Sequence, residues 1–370
     1  MVPSGTIAAV DRGESLLIAL LTVGDPRRLS GGYYYHLRMA EAAPRHAARI
    51  NFVSLPARPW PWAAATGPAA LHRARQVGAD VVLLDSIAAA AMAPALNASD
   101  GEPPLMAILH QPPGGIDSGP ALSALRAAAD RRAYLHARHL FIASEALREQ
   151  LLAAGMASHR MSVVPPGCDP GPAPSGQDRL ELRQGRSMAL LCIGNWLPRK
   201  GIHDLLEAVA MLPPDAATLH LVGDTRPGTR YSRRLQRRLT QADLRDRCCV
   251  HGPVPREEVA RLYHSADVFV LPSVLEPYGT VYGEALAAGL PVVGWRAGNL
   301  PHLVTHDVEG LILPVGDRHA LAGALLELSR APALRRRLAE AARLRGSQLP
   351  RWEDTAHLLF SGIRDALTAR

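Results

Sequence analysis

The chain of 370 residues holds a single lysine, Lys200, and its other basic residues are arginine and histidine. A genome rich in G and C replaces surface lysines by arginine without functional meaning, so a position where lysine persists merits inspection. Aromatic residues make up only 5%, and there are four cysteines, Cys168, Cys192, Cys248 and Cys249, none in a C-x-x-C pair. Three of them fall in or beside apolar runs, which excludes a disulfide framework and suits reduced core thiols in a cytosolic protein. No basic segment leads into an apolar one at the N-terminus, so no signal peptide is expected. No apolar run reaches the roughly 20 residues needed to cross a bilayer, so any membrane contact is expected to be peripheral, at the inner face. No Asp-x-Asp pair occurs, and no His, Cys and carboxylate cluster has metal-ligand spacing.

What is present is ample apolar content, 48%, with 20% charged residues and a formal net charge of +7. This length suits two domains rather than one core. The basic balance suits anionic partners without choosing among them. Arg233, Arg234, Arg237 and Arg238 at helical spacing, and Arg335–Arg337, read as solvated helix faces.

Short β-like runs alternate with helical ones: Ser15–Val23, Arg49–Leu55, Val81–Leu84, Leu105–His110, Leu140–Ala143 and Met161–Pro165. A stretch rich in Pro and Gly follows from Pro165, incompatible with a helix or central strand. The pattern then restarts with Met188–Gly194, Thr218–Gly223, Cys249–Val254, Val268–Leu271, Val292–Trp295 and Gly310–Pro314, and a long Arg-rich helix is expected over Arg230–Arg245. The fold class is α/β, with two Rossmann-like, doubly wound domains facing across a cleft. The expected divisions are a first Rossmann-like domain over 1–170, a linker over 171–185, a second Rossmann-like domain over 186–345, and a terminal helix within 346–370 that packs back on the first domain.

The richest constellation runs from Ser273 to Pro291, after an apolar strand and into a helix. Glu276 and Glu284 stand eight apart. Gly279 removes a side chain where a ligand must approach the backbone, and the N–H groups of Gly279, Thr280 and Val281 lie at a helix start, a natural phosphate site. The carboxylates can accept hydroxyl protons from sugar or ribose diols, although Glu284 alone also reads as a first-turn glutamate answering the helix dipole. A second constellation is Gly194-Asn195-Trp196-Leu197-Pro198-Arg199-Lys200-Gly201, between a strand and a helix, where a lysine beside a glycine can reach a diphosphate or can be a solvated helix start. Ser30-Gly31-Gly32-Tyr33 follows the first strand, and His110 ends the fourth; taken alone they read as a βα turn and a structural histidine.

The segment Glu276–Val293, reading Glu-Pro-Tyr-Gly through Glu-Ala-Leu-Ala-Ala-Gly-Leu-Pro-Val-Val, resembles the retaining GT-B glycosyltransferases that include glycogen synthases, sucrose synthases and bacterial mannosyltransferases. The resemblance covers most of 186–345 and, more thinly, 15–170. It implies that Glu276 holds donor-sugar hydroxyls, that Glu284 holds the ribose, and that the backbone of Tyr278–Val281 contacts sugar and phosphate. It implies further that Lys200 binds the donor phosphate, that the Gly32 loop approaches phosphate and acceptor, and that His110 contacts the sugar near the reacting carbon. Similar enzymes carry arginine where this chain has Asn195, so Arg199 is the candidate for the second phosphate cation. They often read Gly-Gly-x-Pro-Glu where this chain has Gly298-Asn299-Leu300-Pro301-His302.

The expectation is a metal-independent, retaining hexosyltransferase with no cofactor beyond a nucleotide-sugar donor of unspecified base, acting on an unidentified acceptor. Trp60 and Trp62 can stack on a sugar, touch a membrane, or pack a loop. A nucleotide-sugar epimerase or sugar phosphorylase of the same fold is the alternative. A nucleic-acid or membrane-binding protein driven by arginine is more remote, since no aromatic residues interleave the basic runs.

Overall fold

The computed structural model describes residues 15–26, 31–58, 60–96, 103–116, 119–169, 171 and 179–369. Ser30 and residues 172–178 of the expected linker lie outside them. Two compact units emerge: one of Met1–Ile142, Ala157–Val164 and Thr355–Arg370, the other of Ala143–Met156 and Pro165–Asp354. Ala143–Met156 groups with the second unit although it precedes the Pro-rich stretch.

The first unit has six parallel strands, β1 (Leu16–Val23), β2 (Ala48–Leu55), β3 (Val81–Asp85), β4 (Leu105–Leu109), β5 (Leu140–Ile142) and β6 (Met161–Val163), ordered β2-β1-β3-β4-β5-β6. Helices α1 (Gly31–Ala42), α2 (Trp60–Ala63), α3 (Gly67–Gln76), α4 (Ala89–Met92) and α5 (Pro120–His136) connect them, and α6 (Glu145–Ala153) lies between β5 and β6 in the chain. β3 and β4 are buried along their whole length, as expected of parallel strands covered on both faces.

The second unit repeats the design with β7 (Met188–Ile193), β8 (Ala217–Val222), β9 (Cys248–Gly252), β10 (Val268–Val270), β11 (Val292–Trp295) and β12 (Gly310–Leu313), ordered β12-β11-β10-β7-β8-β9. Its helices are α7 (Ile202–Ala210), α8 (Arg230–Leu239), α9 (Arg256–Ser265), α10 (Thr280–Ala287), α11 (Leu300–Leu303), α12 (Arg318–Arg330) and α13 (Pro332–Ser347); α14 (Trp352–Thr368) follows. The Arg-rich helix is shorter than its pattern predicts. The Arg238 guanidinium binds Asp243 at 2.8 and 2.9 Å and Glu207 at 2.8 Å, and the chain turns there instead of continuing to Arg245. Residues 179–185 pack on this unit: Leu182 is buried in its core and Arg183 forks onto Asp267 at 2.6 and 2.9 Å.

In open parallel sheets ligands bind beyond the carboxyl ends of the strands where the order reverses. The first sheet reverses between β1 and β3, the second between β7 and β10. The loops leaving those strands carry the residues singled out in the sequence.

Candidate active site

In the second unit, the loop after β7 rises through Asn195 and a short turn at Pro198–Lys200, while the loop after β10 carries Glu276. Because β7 and β10 are neighbours, two segments about 75 residues apart in the chain meet. The Lys200 ammonium pairs with Glu276 Oε2, and both side chains are largely buried. Arg199 Nη1 bonds the Leu275 carbonyl at 3.1 Å and lies 3.9 Å from the same carboxylate oxygen. Asn195 is exposed, and its carboxamide oxygen accepts the Asp224 N–H at 3.0 Å, tying the β7 loop to the β8 loop.

Glycines let these loops come close. Gly201, at φ +67°, begins α7 with no room for a side chain, since a Cβ would lie 2.0 Å from the Pro272 carbonyl oxygen. Gly279, at φ +81°, begins α10, and a Cβ there would strike the Tyr282 ring at 2.4 Å. Thr280 and Val281 follow it, so their N–H groups belong to the first helical turn, where no intrahelical acceptor exists. Gly298 crosses over Glu276, where a Cβ would lie 2.5 Å from the Glu276 carbonyl oxygen. Beside it Asn299 donates its backbone N–H to Glu276 O at 3.0 Å and its carboxamide to Tyr278 O at 3.1 Å. The sequence departure at Gly298-Asn299 is thus a brace for the glutamate loop. Ser144, which caps α6, donates to Pro277 O at 2.5 Å from the other end of the loop.

Glu284, inside α10, turns to α9. Tyr263 donates to its Oε2 at 3.0 Å, and Arg256 Nη2 lies 3.4 Å from its Oε1. Burial raises its pKa, with Arg256 and the tyrosine hydroxyl opposing. Each carboxylate oxygen keeps lone pairs for a further donor. Tyr278 is buried with its hydroxyl 3.6 Å from the Cys168 sulfur, and burial pushes that thiol up to about 12. The four cysteines are free. His302 Nε2 lies 3.4 Å from Glu149.

In the first unit Gly32 lies against His110: a Cβ on the glycine would meet the imidazole at 3.7 Å. The ring of His110 packs 4.6 Å from that of Tyr35 and 4.9 Å from that of His36. Behind them Asp85, at the end of β3, accepts from Thr22 at 2.8 Å and lies 3.0 Å from His36 Nε2. Burial would raise the Asp85 carboxyl, but His36, His110 and Thr22 outweigh it and hold it at about 2. Burial first, then the charge of His36, draws His110 down to about 3, with Asp85 opposing, so His110 is neutral at pH 7. Trp62 is 70% exposed on α2.

The sequence-predicted residues thus form two clusters, with Glu284 and Asn195 set apart from both. Gly32 and His110 adjoin in the first unit; Arg199, Lys200, Glu276 and Gly279 adjoin in the second, with Tyr278, Thr280 and Val281 beside them in the chain. Glu284 stands on the α9 side of α10, and Asn195 faces the β8 loop. The sequence reading missed His36 and Asp85, lone polar residues far apart in the chain. It also missed Arg256 and Tyr263, whose seven-residue spacing on a helix was the available signal, and Ser144, a helix cap.

Two Rossmann-like units of parallel strands, with polar loops at both reversal points, define the GT-B architecture. Residues 179–345 match the family described as Glycosyl transferases group 1, and residues 17–167 match the Glycosyl transferase 4-like domain. Both family models describe glycosyltransferases, and each covers under half of the chain. The D-inositol 3-phosphate glycosyltransferase of Xylanimonas cellulosilytica is 34% identical over 221 residues, 57% of this chain and 52% of that protein. The chain spans about half the length of the curated relatives it matches. Sucrose-phosphate synthase from Thermosynechococcus elongatus superposes with a TM-score of 0.82 at 23% identity, covering 96% of this chain and all (100%) of that one. Anabaena HepE in complex with UDP gives 0.77 at 22%, covering 95% and 100%. At these identities the likeness is one of fold.

Proposed function

We propose that this protein transfers a hexose-type sugar from a nucleotide-diphosphate donor to an acceptor hydroxyl with retention at the anomeric carbon. The observation that carries the reading is the Lys200–Glu276 pair at the β7/β10 reversal, beside a left-handed glycine that opens a helix. Solved structures of the similarly folded HepE hold UDP or UDP-glucose, which supports a nucleotide-sugar donor. On this reading Lys200, Arg199 and the N–H groups of Thr280 and Val281 neutralise the diphosphate as the glycosidic C–O bond breaks, a preorganised electrostatic clamp built without a metal ion. Glu276 accepts from sugar hydroxyls and Glu284 from the ribose. The resemblance gives His110, neutral at pH 7, as a hydrogen-bond partner of the sugar, and the acceptor hydroxyl adds on the face the phosphate leaves, its proton passing to the departing oxygen. Retention rests on the resemblance of the Glu276–Val293 segment.

A thermal-shift panel of UDP, GDP, ADP and TDP tests this. One diphosphate should raise the melting temperature of the wild type in proportion to the logarithm of ligand excess. Lys200→Ala should itself melt lower, since it leaves the part-buried Glu276 carboxylate only the Arg199 guanidinium at 3.9 Å, and should bind that diphosphate roughly ten- to a hundredfold more weakly, the worth of one charge-assisted hydrogen bond. The reading is wrong if none of the four shifts the wild type, or if the Lys200→Ala shift matches it.

A further inference from the structure

We propose that the outer face of α5 rests on a bilayer surface containing anionic lipid. A surface helix ordinarily turns charged and polar residues to water. Helix α5, of 17 residues and about 25 Å, does so fully only at Arg132. One side is buried in the first unit through Ala133 and Tyr134, and the other exposes Leu122, Leu125 and Leu135 at 48%, 65% and 64%. Between these leucines the exposed positions are Ala124, Ala128 and Arg132. A helix apolar on both sides is the pattern of an element with cover, and an exposed stripe of large apolar side chains marks a contact surface.

The charges around the stripe choose its occupant. The only acid on α5, Asp130, is buried at 1% exposure and taken by the Gly114 N–H at 2.8 Å. Arg131 and Arg132 on the helix, Arg138 just beyond it, and Arg160, whose guanidinium reaches the Leu135 carbonyl at 3.4 Å, supply only positive charge. A second copy seated on this face would oppose arginine to arginine, whereas leucines between guanidinium groups match acyl chains beneath phosphate headgroups. Arginine stems can lie along the apolar boundary while their heads reach phosphate. The surface needs no donor and is independent of the transfer reaction.

The test is flotation of the full chain with vesicles of phosphatidylcholine alone and of phosphatidylcholine mixed with phosphatidylglycerol. The wild type should float only with the anionic vesicles and should be released as salt is raised. Leu125→Gln/Leu135→Gln should lower partitioning by about tenfold or more. Arg132→Glu, which removes no apolar contact, should lower it severalfold, and both should keep the wild-type melting temperature because the side chains are exposed. No flotation with anionic vesicles, or equal flotation of the double variant, overturns the proposal. So does a wild-type dimer that the double variant turns into a monomer, since the face then joins two copies.

Discussion

Replacing Gly298 by alanine isolates the brace over Glu276. At φ +56° an alanine adopts the left-handed region at a cost of about 1–2 kcal/mol. Its Cβ would also lie 2.5 Å from the Glu276 carbonyl oxygen and 2.8 Å from its nitrogen, where neither neighbour is a flexible side-chain end. Relieving that overlap moves the Glu276 backbone, an overpacking term of about 1–3 kcal/mol. Gly316 supplies the control: φ is +80° with no atom near its absent side chain, so Gly316→Ala carries the backbone term alone. At about 2–4 °C per kcal/mol for a unit of this size, Gly316→Ala should melt about 2–8 °C low and Gly298→Ala about 4–20 °C low. Donor binding discriminates further: calorimetric titration of the stabilising diphosphate should show near-wild-type affinity for Gly316→Ala and a loss for Gly298→Ala, whose displaced loop carries Glu276 towards or away from Lys200. Equal melting and equal affinity in the two variants would refute the brace.

Two more outcomes follow from particular contacts. His110 titrates at about 3 when folded and near 6.5 when unfolded, so between these values the unfolded chain holds the extra proton and stability is lost as pH falls through the window. Asp130, raised by burial to about 6, works in the opposite direction, with stability falling as pH rises through 4 to 6. Its contribution is common to both proteins when His110→Asn is compared with wild type, so the difference in melting temperature should shift in the variant's favour as pH falls below 6.5, and parallel curves would contradict the buried neutral imidazole. Separately, an alanine Cβ at Gly283 would lie 2.3 Å from the Cys168 sulfur. Gly283→Ala alone should destabilise by about 1–3 kcal/mol, whereas in a Cys168→Ala background the same change should be near neutral or stabilising, as alanine is in a helix. Additive denaturation energies in that double-mutant cycle would rule the contact out.

The strands were legible because parallel strands covered on both faces must be apolar along their length, and runs such as Val81–Leu84 and Met188–Ile193 permit little else. Helix ends were less so. Nothing in the Arg230–Arg245 pattern reveals that Arg238 binds Asp243 and halts the helix at Leu239, because that depends on which carboxylates fold close by. The Glu276 loop stood out through its local spacing. Its supports did not, since the Asn299 and Ser144 side chains donate to backbone carbonyls that any sequence presents. His36 and Asp85 lie 49 positions apart in the chain, and only the reversal between β1 and β3 brings α1 and the end of β3 together.

Residues from Thr355 onward belong with the first unit, yet they follow the whole second unit in the chain. There Phe360 stacks on His46 at 5.2 Å, and Arg364 bonds the Ala47 carbonyl at 3.1 Å. On the ribosome the earlier half therefore lacks this cover, with an apolar surface open, until all of the later half has been translated. Maturation of the two halves is coupled in time, and a nascent chain stalled inside the second unit would present that open surface to chaperones.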